Sequence, residues 1–136
     1  KKNKFLKKEL IKPTKIYVKE ILRMLDKNLI NGCANITGGG LEDNIKRIIP
    51  KNMCAEIDLK KVKPLEIFKW LKKNKLTDKE MLKTFNCGIG FCIIINPKKL
   101  KYVSSFFDKS FKPYVIGSIT KNINKVKFNG KIDWFK

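Results

Sequence analysis

Few side chains in this sequence are equipped for acid, base or metal chemistry. It has no histidine, which removes His-based triads and dyads and most zinc sites, and Cys33, Cys54, Cys87 and Cys92 form no Cys-x-x-Cys pair. The 12 acidic residues are dispersed, with no run suited to Mg²⁺. The strongest chemical signal lies in the backbone, in the run Asn35-Ile36-Thr37-Gly38-Gly39-Gly40 followed by the amphipathic stretch Leu41 to Ile49. Consecutive glycines cost conformational entropy and are useful where the chain needs positive φ or where a ligand approaches the amides closely. A strand, a glycine turn and a helix start together make a cradle for an anion such as phosphate, because free N–H groups point outward there. The same pattern also fits a tight turn that simply packs helix on sheet.

The elements that would position this turn can be read from spacing. Val18, Ile21, Leu22 and Leu25 predict a helix over about 18–27, preceded by an extended Pro13 to Tyr17. Cys33 to Thr37 reads as a strand into the glycines, Leu41 to Ile49 as the helix after them with Pro50 closing it, and Met53 to Leu59 as a second strand. Pro64 suits the first turn of a helix through Leu71. Thr77 and Glu80 form a capping-box pattern that opens a helix over Asp78 to Phe85. After Gly88-Ile89-Gly90, Phe91 to Ile95 is an apolar run of the kind covered on both faces, and Pro97 to Asp108 reads as a helix. Tyr114 to Thr120 is a strand, and Asn129-Gly130 predicts a hairpin joining Lys125–Phe128 to Ile132–Phe135. The expected class is α+β: a single mixed β-sheet with helices packed on it and an antiparallel C-terminal hairpin.

At 136 residues and 43% hydrophobic content the chain suits one domain with a real core. No apolar run is long enough for a bilayer span and none follows the lysine-rich start as in a signal peptide, so the expectation is a cytoplasmic protein with no membrane partner. The net charge of +20 invites a nucleic-acid reading, but only Arg23 and Arg47 among 32 basic residues are arginine, and the lysines are scattered. Phe68, Phe85, Phe106 and Phe107 fall at core spacing rather than among the lysines, so a basic RNA-binding module is an alternative and not the main reading.

Several segments in order resemble one family. Pro13-Thr14-Lys15-Ile16-Tyr17-Val18-Lys19, Ile36-Thr37-Gly38-Gly39-Gly40-Leu41 with Asn44-Ile45 and Arg47, Met81 with Thr84-Phe85-Asn86-Cys87-Gly88-Ile89-Gly90, and Val115-Ile116-Gly117 are similar to the C-terminal domain of the phosphoribosylformylglycinamidine cyclo-ligase (aminoimidazole ribonucleotide synthetase) family. The resemblance runs over about residues 9 to 128. It implies an enzyme of purine synthesis that uses ATP and Mg²⁺ to close an imidazole ring: ATP phosphorylates an amide oxygen, and a neighbouring amidine nitrogen attacks with loss of phosphate. It also implies an N-terminal domain, absent here, that holds most of the nucleotide and metal and builds a homodimer. Residues 1–12 would then be a lysine-rich connector from that ATP-binding domain, and 13–136 the C-terminal substrate-binding domain. The isolated domain is expected to hold no cofactor of its own and to show no turnover. Another member of the same ATP-binding superfamily is the enzymatic alternative.

By the same resemblance Thr37, Gly38, Gly39 and Gly40 would hold the phosphate of a phosphorylated ribonucleotide. Asn35, Asn44, Thr84, Asn86, Thr14 and Lys15 are candidate contacts in the adjoining cleft; no residue is assigned a catalytic role and none a metal. Against these stand plainer readings: a solvated Asn44, an Asn86 that caps a helix, and Thr14 and Lys15 at a surface strand end. The sequence departs from the family at Asn35, where His or Asp is usual; an amide keeps hydrogen bonding but exchanges no proton near neutral pH. Lys15 and Lys83 replace arginines, trading a planar fork for a point charge, and Lys12 replaces an acid.

Overall fold

The computed structural model describes residues 2–108 and 111–135. The segment that reads as a connector forms a helix, α1 (Lys2–Leu10), and an extended stretch leads from it to α2 (Val18–Leu25). Strand β1 (Gly32–Asn35) runs into the glycine turn and α3 (Gly40–Lys46); β2 (Met53–Asp58), α4 (Glu66–Lys72) and α5 (Asp78–Thr84) follow. The capping box is present at α5: Thr77 Oγ1 accepts from the Glu80 N–H at 3.2 Å, and the Glu80 carboxylate accepts from the Thr77 N–H at 2.7 Å. Beyond it lie β3 (Phe91–Ile94), a 3-10 turn at Pro97–Lys99, α6 (Leu100–Ser104), β4 (Gly117–Lys121) and β5 (Val126–Asn129). The helix expected from Pro97 to Asp108 is thus a 3-10 turn followed by a short α-helix, and part of the stretch beyond, residues 109 and 110, lies outside the described residues.

The α+β class holds, with both parallel and antiparallel pairing, but two details differ from expectation. The strands divide between a two-stranded antiparallel sheet, β1-β3, and a three-stranded sheet of order β4-β2-β5 in place of a single sheet. The C-terminal hairpin is not formed. Gly130 turns with φ +76°, as the Asn-Gly signal predicts, yet β5 pairs in parallel with β2, Ala55 opposite Val126 and Asp58 opposite Asn129. The tail after Gly130 buries Ile132 and Trp134 in the core instead of returning along β5. Those two apolar side chains, two residues apart, reach the core from an irregular segment, and Trp134 Nε1 donates to Asp78 at 2.9 Å at the start of α5.

The two-stranded sheet separates two cores. Along β3 and just beyond it, Cys92 and Ile94 pack against the larger cluster, which includes Ile36, Leu41, Ile57 and Met81, while Phe91, Ile93 and Ile95 pack against a smaller one of Ile21, Met24, Leu29 and Val103. Strand side chains alternate between faces, so a continuous apolar run is what a strand with a core on each side requires.

Candidate functional site

The glycine turn is held from beneath by one buried amide. Asn44, 5% exposed, lies one turn into α3 and donates Nδ2–H to the carbonyls of Gly40 at 2.7 Å and Gly38 at 3.1 Å, with Thr37 at a longer 3.5 Å. A trans peptide sets its N–H opposite its C=O. Drawing these carbonyls toward Asn44 therefore turns the N–H groups of Gly38 and Gly39 away from the core. Among the described residues no hydrogen bond takes up either of them, whereas the Gly40 N–H is spent on the Thr37 carbonyl at 3.1 Å. Thr37 and Gly38 are exposed and Gly39 half-buried.

The three glycines do different work. A Cβ on Gly38 would meet nothing within 4 Å. Gly39 has φ +88°, and the carboxylate of Asp43 leans over it, Oδ2 3.0 Å from where a Cβ would stand. Gly40, buried with φ +60°, presses on the last turn of α5, where a Cβ would overlap the Leu82 carbonyl. The run therefore divides by residue: Gly40 packs helix on helix, and Thr37, Gly38 and Gly39 present an open corner. Asp43 and Glu42 in the first turn of α3 complement its dipole and place negative charge on one side of that corner, leaving the Gly38 side open.

The second glycine turn lies beside the first. The Ile36 N–H donates to the Gly90 carbonyl at 2.9 Å, and Asn86 accepts the Gly88 N–H at 3.0 Å while its Nδ2 faces the Ile36 carbonyl at 3.5 Å. Asn86 thus braces the turn, with both ends of its amide directed into the fold. Phe85 is the residue that caps α5, and Thr84 is exposed on that helix's last turn.

Three of the remaining candidates do meet. Thr14, Lys15 and Asn35 line an open cleft of about 290 Å³, together with Tyr17 and Phe91. The spacing of the sequence did not single out the two aromatics. The Tyr17 ring lies tilted against Phe91, centroids 5.2 Å apart, and Phe111, 5.1 Å apart, and its hydroxyl occupies the space a side chain at Gly90 would need. Burial, with Cys92 nearby, raises the Tyr17 hydroxyl above its ordinary pKa, so it is a neutral phenol in this site. Lys15 Nζ lies 4.7 Å from the centroid of the Phe111 ring. The missing signal was the glycine itself: Gly90, before an apolar strand, reads as a turn residue until the tyrosine opposite it is known. Asn35 ends β1, two residues before Thr37, so the cleft and the glycine corner adjoin along one strand end.

Among the described residues no group of three or more His, Cys, Asp or Glu side chains is arranged to hold a metal ion, and no helix is long and apolar enough to cross a membrane.

Residues 1–128 match the family described as AIR synthase related protein, C-terminal domain. Over 123 residues, 90% of the chain, it is 40% identical to the phosphoribosylformylglycinamidine cyclo-ligase of Streptococcus pneumoniae serotype 4 (strain ATCC BAA-334 / TIGR4), and equally to the proteins of that name from strains Hungary19A-6 and CGSP14. The match takes in 36% of each relative's length, so the chain spans about a third of those proteins. With the family matched over nearly the whole sequence and its two glycine turns side by side in the fold, the chain belongs to the AIR synthase related protein C-terminal domain family.

Proposed function

We propose that this domain forms the substrate-holding side of an ATP-dependent cyclo-ligase of purine synthesis, with Thr37, Gly38 and Gly39 receiving the phosphate of a phosphorylated ribonucleotide. The observation that carries the reading is the pair of outward N–H groups at Gly38 and Gly39, fixed by the buried Asn44 amide and taken up by no acceptor among the described residues. Two fixed amides and the Thr37 hydroxyl suit a phosphate dianion, since hydrogen bonds to a charged acceptor are stronger than neutral ones. The cleft beside them, with Asn35, Thr14 and Lys15 at its polar points and Tyr17 and Phe91 as walls, would orient the rest of the ligand. Asn44, Asn86 and Gly40 position this machinery, and Thr84 stands at its edge.

ATP and Mg²⁺ would supply the activation of the amide oxygen, and in this reading they are held on the larger part of the longer polypeptide, which also forms the dimer. Among the described residues the dispersed carboxylates offer them no cluster of ligands. The contribution of this domain is binding and orientation, so the 136-residue chain alone binds the phosphorylated substrate and does not turn it over.

The test is Gly38→Asp in a chimera of the S. pneumoniae TIGR4 enzyme carrying this domain in place of its own matched segment. Gly38 has open space around it and no positive φ, so the substitution spares the fold while placing a carboxylate at the amides. Losing one or two charge-assisted hydrogen bonds, about 1.5–3 kcal/mol each, corresponds to a KM raised about 10- to 100-fold or more. An unchanged KM would refute the assignment.

A further inference from the structure

Helix α2 has a wide apolar surface, and this fold covers only part of it. Ile21 and Met24, 8% and 0% exposed, pack on the smaller core. Val18, Leu22 and Leu25, one helical stripe at i, i+4 and i+7, remain 58%, 54% and 43% exposed, and Ile16 just before them is 79% exposed. Single exposed aliphatic residues are ordinary, but three on one stripe of a helix with a fourth just before it make a patch of the kind that marks an interface. Ile16, Val18 and Leu22 also line the cleft that holds Thr14, Lys15 and Asn35. Whatever covers this face therefore also closes that cleft.

We infer that the face is the seat of the rest of the longer polypeptide, the nearly two thirds of the relatives' length to which this chain has no counterpart. Charge argues against a second copy as the occupant: on α2 the two bases Lys19 and Arg23 outnumber the one acid, Glu20, and the chain carries +20 overall, so two copies would meet with like net charge. A partner surface with an apolar centre and a carboxylate rim fits instead. This inference rests on the cyclo-ligase reading for the identity of the occupant, and it adds that the substrate cleft is completed by docking on Val18, Leu22 and Leu25.

The experiment compares thiol labelling in the isolated chain and in the S. pneumoniae chimera, with Leu22→Cys and Ile123→Cys made singly and the parent cysteines as background. Ile123, 88% exposed, belongs to the turn between β4 and β5. The expected result is rapid maleimide reaction of both variants in the isolated chain, with Leu22→Cys slowed at least about tenfold in the chimera and Ile123→Cys unchanged. Equal rates for Leu22→Cys in the two settings would overturn the inference, as would equal protection at both positions. If the chimera fails to fold, cysteine at the position of the S. pneumoniae enzyme aligned with Leu22 decides the matter: labelling as fast in the native enzyme as in urea overturns it. Phosphate binding at the Gly38 and Gly39 amides is read separately in the isolated chain, so loss of that reading leaves the labelling result to stand or fall by itself.

Discussion

Gly38 and Gly40 are two residues apart in sequence and opposite in physical role. At Gly40 the backbone is left-handed and the Leu82 carbonyl fills the space of a side chain, so Gly40→Ala must push α5 away from α3 and is expected to lower stability by about 2–4 kcal/mol, in the range of strain at special φ and overpacking. Gly38→Ala, in open space, is expected to stay within about 0.5 kcal/mol of the parent. Urea midpoints of the two variants check both, and an equal loss at the two positions would contradict the division. Cys87 provides a pH signature. Burial, aided by the nearby Asp78, pushes its thiol from an ordinary 9.0 up to about 12. The thiol thus stays protonated in the folded chain where the unfolded chain would release its proton, so its contribution to stability falls as pH rises from about 9 toward 12 and is flat at neutral pH. Urea midpoints at pH 7.5 and 10 should show a smaller alkaline loss for Cys87→Ala than for the parent; equal losses would contradict the assignment.

Trp134 ties the C-terminal tail to the start of α5. It is 4% exposed, and its Nε1–H donates to the Asp78 carboxylate, which Lys72 Nζ also meets at 2.7 Å. Burial alone would raise the Asp78 pKa, but these partners outweigh it and hold the carboxyl below its ordinary value. The stability it contributes is therefore present above about pH 4 and lost on acidification through the lowered pKa. Trp134→Ala is expected to cost about 3–5 kcal/mol, and Trp134→Phe, which keeps the ring and loses the donor, about 1–2 kcal/mol. Thermal unfolding separates the two, and equal losses would show that the hydrogen bond accounts for the effect and the burial of the ring does not. The tail also shows where sequence patterning stops being informative. The 3.6-residue and capping signals located α2, α3, α4 and α5 to within a few residues, because those signals are local. The Asn129-Gly130 turn was legible too, since only its own φ was at stake. What followed it was not: whether Ile132 and Trp134 return along β5 or cross to α5 depends on the β2–β5 parallel pairing, a long-range contact with no local mark. The helix at Lys2–Leu10 escaped notice because lysines crowd its few apolar positions.

Across the whole molecule, the order of the motifs revealed the family, and the fold brings two glycine turns 50 residues apart side by side. Ile36 and Gly90 join through a backbone hydrogen bond, and Asn44 and Asn86 brace the turns on either side of it. The sequence marked both asparagines as candidate ligand contacts; their inward geometry depends on the burial of α3 and the bend of each turn, which spacing cannot supply. The +20 charge adds attraction for any anion over the whole surface, so affinity alone cannot show where a phosphate sits. The most direct measurement is an amide-resolved nuclear magnetic resonance titration of the isolated chain with ribose 5-phosphate at fixed ionic strength. The predicted result is saturable shifts centred on the Gly38 and Gly39 N–H signals, lost in Gly38→Asp. Shifts spread among surface lysines, with those two amides unmoved, would contradict the assignment.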